Sequence, residues 1–190
     1  MSSWRLLDEP AEIVAPRLLG SLLVRELNGH RLIGKIIETE AYTQTDAASH
    51  SYRGRTPRTD VMFGPAGHLY VYFTYGMHYC MNIVCGPTGS AAAVLIRAIE
   101  PLEGEAHMRQ NRGGKTGALL TNGPAKACQA LAIDKSWNGH NLHDAPFQLI
   151  LQPSLPMTNI VQTTRVGISQ ARDVPWRFYL RGNAYVSKLA

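Results

Sequence analysis

One hundred and ninety residues are enough for a single domain with a sizeable core, and 45% hydrophobic with 17% charged residues exclude a disordered or coiled-coil chain. A net charge of +5 admits an anionic partner without requiring one, and three cysteines (Cys80, Cys85, Cys128) make no even disulfide framework, as suits a reducing compartment. The N-terminus shows no signal-peptide core and no apolar run approaches the roughly 20 residues that span a bilayer, so a cytoplasmic protein with no membrane partner is expected.

Asp8 offers an N-cap for a first helix running to Leu19 and closed by Gly20, although Pro16 interrupts its pattern. Leu22–Leu27 then reads as a strand. Asn28-Gly29 is a strong hairpin signal, and the return strand runs from about Leu32 to Tyr42. Residues 43–67 have no periodicity and many turn formers; so long an irregular stretch in a compact domain is usually functional or disordered.

Residues 68–86 read as a second hairpin, turning at Tyr75-Gly76. Strand alternation puts Leu69, Val71 and Phe73 on a core face and Tyr70, Tyr72 and Thr74 on the other. Tyr75 and Met77 then project from the turn. Either a neighbouring element covers them, or they form a wedge of the kind minor-groove proteins push between stacked bases.

Ala91–Ile99 reads as a buried strand broken by Arg97, which must pair with an acid or face a ligand. Helical character is expected from Pro101 to about Arg109 and from Pro124 through Ile133, with a mobile loop at 110–122 between them. Lys126 and the amides after Gly123 could hold a phosphate, or the lysine could simply be solvated. Strands are expected at Phe147–Leu151, Val161–Ile168, Arg177–Arg181 and Ala184–Lys188. The sum is one α+β domain over residues 1–190: a curved, mainly antiparallel sheet with a protruding hairpin and flanking helices.

The chemistry-bearing stretch is Ile36-Ile37-Glu38-Thr39-Glu40-Ala41-Tyr42, in which Glu38, Glu40 and Tyr42 share a strand face. Surface acids on a strand edge would look the same. Paired carboxylates can also serve acid–base chemistry at a sugar carbon, and one suffices when the leaving group is good. The histidines match no metal-binding spacing, His140-x-x-His143-Asp144 being the weak exception, so no metal and no cofactor is expected. Phosphate-binding, dinucleotide-binding and serine-hydrolase motifs are absent from the sequence.

Glu38-Thr39-Glu40-Ala41-Tyr42, Ala47-Ala48-Ser49-His50, Thr56-Pro57-Arg58, Tyr70-Val71-Tyr72, Tyr75-Gly76-Met77, Cys80-Met81-Asn82, Leu95-Ile96-Arg97-Ala98, Gly123-Pro124-Ala125-Lys126 and Arg165-Val166-Gly167 occur in that order. Together they resemble the alkyladenine (3-methyladenine, methylpurine) DNA glycosylase family over nearly the whole chain. The resemblance implies a DNA repair enzyme of base excision. It would flip an alkylated or deaminated purine out of duplex DNA and hydrolyse its glycosidic bond, leaving an abasic site. The substrates so implied are 3-methyladenine and 7-methylguanine, with hypoxanthine and ethenoadenine as neutral candidates.

Carried over residue by residue, the resemblance makes Glu40 the general base, with Arg97 and the main chain of Val166 holding the attacking water. Tyr42, His50 and Tyr72 become pocket walls with Ala47 beside them, and Asn82 obstructs the exocyclic amino group of guanine. Tyr75, with Met77, fills the gap in the duplex, while Lys126, Arg58 and Arg112 are candidates for the DNA backbone. A monofunctional enzyme acting as a monomer is expected, associated with the nucleoid while bound to DNA. Two rivals remain: a non-catalytic damaged-DNA-binding protein with the same hairpin, and a glycosidase of free nucleosides.

Overall fold

The computed structural model describes residues 3–74 and 76–189. Asn28 and Gly29 take φ of 51° and 80°, the paired positive values that a type I′ turn requires. They fold β1 (Leu22–Leu27) directly onto β2 (His30–Thr43), the longest strand. β2 is the spine of the sheet. Along one edge it pairs with β5 (Ala92–Glu103); along the other it pairs first with β1 and then, from Glu38 to Glu40, with β8 (Arg177–Leu180).

β4 (His78–Val84) and β3 (Leu69–Thr74) extend the sheet beyond β5, β6 (Phe147–Ile150) extends it beyond β1, and β7 (Ile160–Thr163) joins β8. All pairings are antiparallel. With three short α-helices among the described residues, the result is a curled antiparallel half-barrel of α+β class, the class that the sequence predicts.

The helices are α1 (Ala11–Arg17), α2 (Glu105–Asn111) and α3 (Pro124–Ala130). Leu69, Val71, Met81, Ile83, Val94 and Ile96 bury one sheet face in the same cluster as Val14, Ala15, Ala127 and Leu131. Each leucine, isoleucine, valine or methionine among them contributes about 1.5–3 kcal/mol by leaving water. Phe73 leaves the expected core face: it is 48% exposed, because the β3–β4 hairpin projects beyond the body there. Among the described residues, no helix is long and apolar enough to cross a membrane.

Several expected boundaries differ. Pro10, not Asp8, occupies the N-cap of α1, with no side-chain cap bond, and Pro16 stays inside the helix. Pro101 belongs to β5, not to a helix, because the long free edge of β2 gives Pro101 and Glu103 partners at Gly34 and Ile33. The change to helix waits for Gly104 (φ 73°), where a Cβ would stand 2.5 Å from the Arg31 carbonyl oxygen. Residues 110–122 contain a 3-10 turn at Gly117–Leu120, held by the Arg112 guanidinium on the Leu119 and Leu120 carbonyls. The strand expected at Val161–Ile168 stops at Thr163, and residues 184–188 form turns that cross a buried charge cluster.

Candidate active site

Near its middle the β2–β5 ladder slips. The register passes from Ile36↔Ile99 to Glu38↔Ala98 and then to Thr39↔Ile96, leaving Ile37 and Arg97 without cross-strand partners. Bulges re-aim side chains. Here the Arg97 guanidinium is delivered between the two acids of β2: Nε donates to Glu38 Oε1 at 2.9 Å, and Nη1 lies 3.2 Å from Glu40 Oε1. Burial pulls the Arg97 pKa down, but Glu40 and Glu38 outweigh it and raise the pKa overall.

Glu40 is completely buried. Its Oε1 accepts the Val166 amide at 2.8 Å and its Oε2 accepts the Tyr42 hydroxyl at 2.8 Å. A carboxylate has about four lone-pair positions, so three contacts leave one free. Glu38 is equally buried but turned elsewhere, bonded to Arg97, Arg177 and both the amide and hydroxyl of Ser187. The two acids of one strand face therefore have different surroundings.

One register row, Tyr70↔Asn82↔Leu95↔Glu40, crosses β3, β4, β5 and β2. Above it opens a cavity of about 480 Å³, within the usual range of small-molecule pockets. Tyr42, Tyr72 and His50 form its aromatic walls, and Ala47 and Val166 come from the two loops that close it. Glu40 lies just behind the lining formed by Tyr42, Arg97 and Val166. Asn82 is fixed by donating to the Tyr70 carbonyl at 3.0 Å.

The ring geometry is specific. His50 meets Tyr72 edge-on at 4.5 Å between centroids, and its Nδ1 lies 3.0 Å from the Tyr70 hydroxyl. Burial first, and then Glu40, raise the Tyr42 pKa far above that of a free phenol; burial and the Cys80 thiol do the same for Tyr72. Both walls remain neutral phenols. Burial and then the Arg58 charge push the His50 imidazole down to about 4, so it too is neutral near pH 7.

The other expected residues are placed as follows. Arg58 stands outside the wall, with Nη2 3.4 Å from His50 Nε2 and its guanidinium carbon 5.6 Å from the Tyr72 ring centroid. Met77 sits 69% exposed at the hairpin tip, and the wedge expected of Tyr75 falls outside the described residues. Lys126 donates to Asn122 Oδ1 at 2.7 Å, and burial followed by the Arg112 charge lowers its pKa. Neither Lys126 nor Arg112 lines the cavity, although Pro124 does. His143 stacks on Trp4, and His140 Nε2 lies 2.7 Å from the Phe147 carbonyl oxygen.

Residue-by-residue reading assigned no role to Arg165, Asp46, Arg177 or Ser187. Arg165 and Asp46 form a fully buried pair, and the Arg165 guanidinium carbon lies 4.7 Å from the Tyr42 ring centroid. The cavity wall is thus braced from behind by a cation. An arginine inside the Val161–Ile168 stretch was the available signal, of the same kind that singled out Arg97.

The methylpurine-DNA glycosylase family profile matches residues 5–184. The chain belongs to this family. A protein of Carboxydothermus hydrogenoformans is 56% identical over 177 residues, 93% of each chain. One from Methanoculleus marisnigri is 50% identical over 182 residues, and one from Francisella tularensis subsp. tularensis 49% identical over 177, each covering 92% of both chains. All three carry the provisional name 3-methyladenine DNA glycosylase. Every cavity-wall residue and both acids fall inside the span matched by the methylpurine-DNA glycosylase family; Ser187 falls outside it.

Proposed function

We propose that the chain is a monofunctional 3-methyladenine-type DNA glycosylase. It extrudes an alkylated or deaminated purine from duplex DNA into the aromatic cavity and hydrolyses the bond to deoxyribose. The observation that carries this reading is the Glu40 carboxylate, buried against the cavity wall with Val166 N–H and Arg97 on one oxygen and Tyr42 on the other. The guanidinium lies against the acid, and the remaining lone pair can take the proton of a water. As the water oxygen bonds to C1′, the C1′–N bond breaks, its electron pair leaves with the purine, and the proton passes to Glu40.

Extrusion costs a few kcal/mol, which stacking between Tyr42 and Tyr72 offsets. A purine alkylated at N3 or N7 is cationic, so it leaves easily and is attracted to those rings. Asn82, a residue of the cavity lining, obstructs guanine's exocyclic amino group in this reading. Tyr75 and Met77 fill the vacated stack, and Arg58, Lys126 and Arg112 face the phosphates. The protein works as a monomer in the cytoplasm.

The test is single-turnover excision from a duplex with one 7-methylguanine, read as strand breaks after alkali. Glu40→Gln keeps size and hydrogen bonding but takes no proton, so lesion binding survives while the rate falls about 10²–10⁴-fold. Full activity in that variant would remove Glu40 as the base. Binding without base release by the unaltered protein would favour the non-catalytic rival.

A further inference from the structure

Four buried charges alternate in sign behind the cavity. Glu40 Oε1 lies 3.2 Å from Arg97 Nη1, Arg97 Nε donates to Glu38 Oε1 at 2.9 Å, and that same oxygen accepts Arg177 Nε at 2.7 Å. None of the four side chains is more than 9% exposed. The chain that follows β8 returns to the far end of this row.

Ser187 contributes three bonds there. Its amide donates to Glu38 Oε2 at 2.6 Å, its hydroxyl donates to Glu38 Oε1 at 2.8 Å, and the same hydroxyl accepts Arg97 Nη2 at 3.3 Å. Arg177 Nη2 donates to the Lys188 carbonyl. Val186 packs with Ile37 and Ala98, which pins the segment. Both residues left out of the β2–β5 ladder, Ile37 and Arg97, therefore meet residues 186–187.

We infer that residues 185–188 are a strap belonging to the catalytic apparatus, and that Ser187 is a positioning residue which sets, through Glu38 and Arg97, how much cationic charge Glu40 feels. This rests on Glu40 being the base. Glu38 Oε1 receives three donors: two arginines and the Ser187 hydroxyl. Without the hydroxyl, Glu38 Oε1 is left to the two arginines while Oε2 keeps the residue-187 amide, and Arg97 Nη2 loses its tether. Arg97 is then drawn toward Glu38, and Glu40 feels less of its charge. Without the Glu38 charge, Arg97 turns wholly to Glu40. The ionisable side chains that interact with Glu40 besides Arg97 are Tyr42 of β2 and Tyr72 of β3, both neutral phenols; Arg177 of β8 lies opposite Glu40 in the ladder but spends its guanidinium on Glu38 and the Lys188 carbonyl.

The experiment follows single-turnover excision of 7-methylguanine, whose positive charge removes the need to protonate the leaving group, across about pH 4.5–7. Ser187→Ala, Ser187→Thr, Glu38→Gln and Glu40→Gln are compared, with binding to a duplex holding a tetrahydrofuran abasic analogue and thermal melts in parallel. Ser187→Ala should bind normally, lose about 3–10-fold in rate at the acidic end and shift its acid limb upward. Ser187→Thr, which keeps the hydroxyl, should restore both. Glu38→Gln, if it folds, should move the limb the other way. A Ser187→Ala profile identical to the parent overturns the inference, as does a pH-independent loss that tracks melting and is not rescued by threonine. Undiminished excision by Glu40→Gln is a separate failure: the base would be misassigned, whatever Ser187 does.

Discussion

On one side of the cavity Glu38, Glu40, Arg97 and Arg177 are held by directional, charge-assisted bonds of 2.6–3.2 Å and exclude solvent. On the other, Tyr70, Tyr72 and His50 meet only ring to ring and through the 3.0 Å contact of His50 with Tyr70, and the hairpin beyond them ends in an exposed Met77. The first arrangement has one low-energy geometry and tolerates little change, since an unpaired buried charge costs several kcal/mol. The second rests on ring contacts and neutral hydrogen bonds, which are individually weaker than the charge-assisted bonds of the first. Under the proposed function, the contrast suits a fixed carboxylate opposite a wall that would admit a flipped base.

The largest effect should come from breaking a buried pair on the rigid side. Asp46→Ala leaves Arg165 charged and enclosed behind Tyr42, where side-chain exposure is 0% for Arg165 and 1% for Asp46. Loss of one partner of such a pair destabilises by about 3–5 kcal/mol, whereas replacing both with apolar residues costs far less. Urea titration should therefore place Asp46→Ala well below the Asp46→Ala/Arg165→Met double variant. If the double variant proves no better than the single one, the pair is not a buried charge interaction of this kind.

The same contrast governs what sequence could disclose. The aromatic wall was legible because a strand repeats every two residues, so Tyr70, Tyr72 and Thr74 had to share a face. Alternation likewise put Glu38 with Glu40, and Arg97 stood out as a charge in an apolar run. The opposed slips at Ile37 and Arg97 were not legible, since a bulge depends on two strands distant in sequence. Nor was the strap: Ala184–Lys188 has strand-like residues, but Glu38 and Arg97 draw Ser187 out of any ladder. The helix expected from Pro101 failed similarly, because free edge on β2 outweighed local preference.

A smaller effect should come from the soft side. Tyr75→Ala should weaken discrimination for a lesion within duplex by about 1–3 kcal/mol, the value of stacking an aromatic on a base. The same lesion in a single strand offers no gap to fill, so its binding should change little. Competition binding on the two substrates measures the difference. Equal losses on both would make the hairpin tip an ordinary packing feature.

The smallest effect tests whether the soft wall carries any charge at all. His50 is pushed down to about 4, by burial first and by Arg58 second, with Arg58 Nη2 3.4 Å from its Nε2. An unfolded histidine titrates near pH ~6.5. As pH falls below that value the unfolded chain gains a proton that the folded chain refuses until about pH 4. Stability from this group is therefore complete above pH ~6.5 and declines through the window down to the folded pKa. Arg58→Ala removes the cation and should raise the His50 pKa toward the ordinary value, narrowing the window from below. Imidazole proton shifts followed by NMR titration in the two proteins give both pKa values directly. An imidazole that already titrates near pH ~6.5 beside Arg58 would mean that the wall is charged at mildly acidic pH, and that a cationic purine would meet repulsion there.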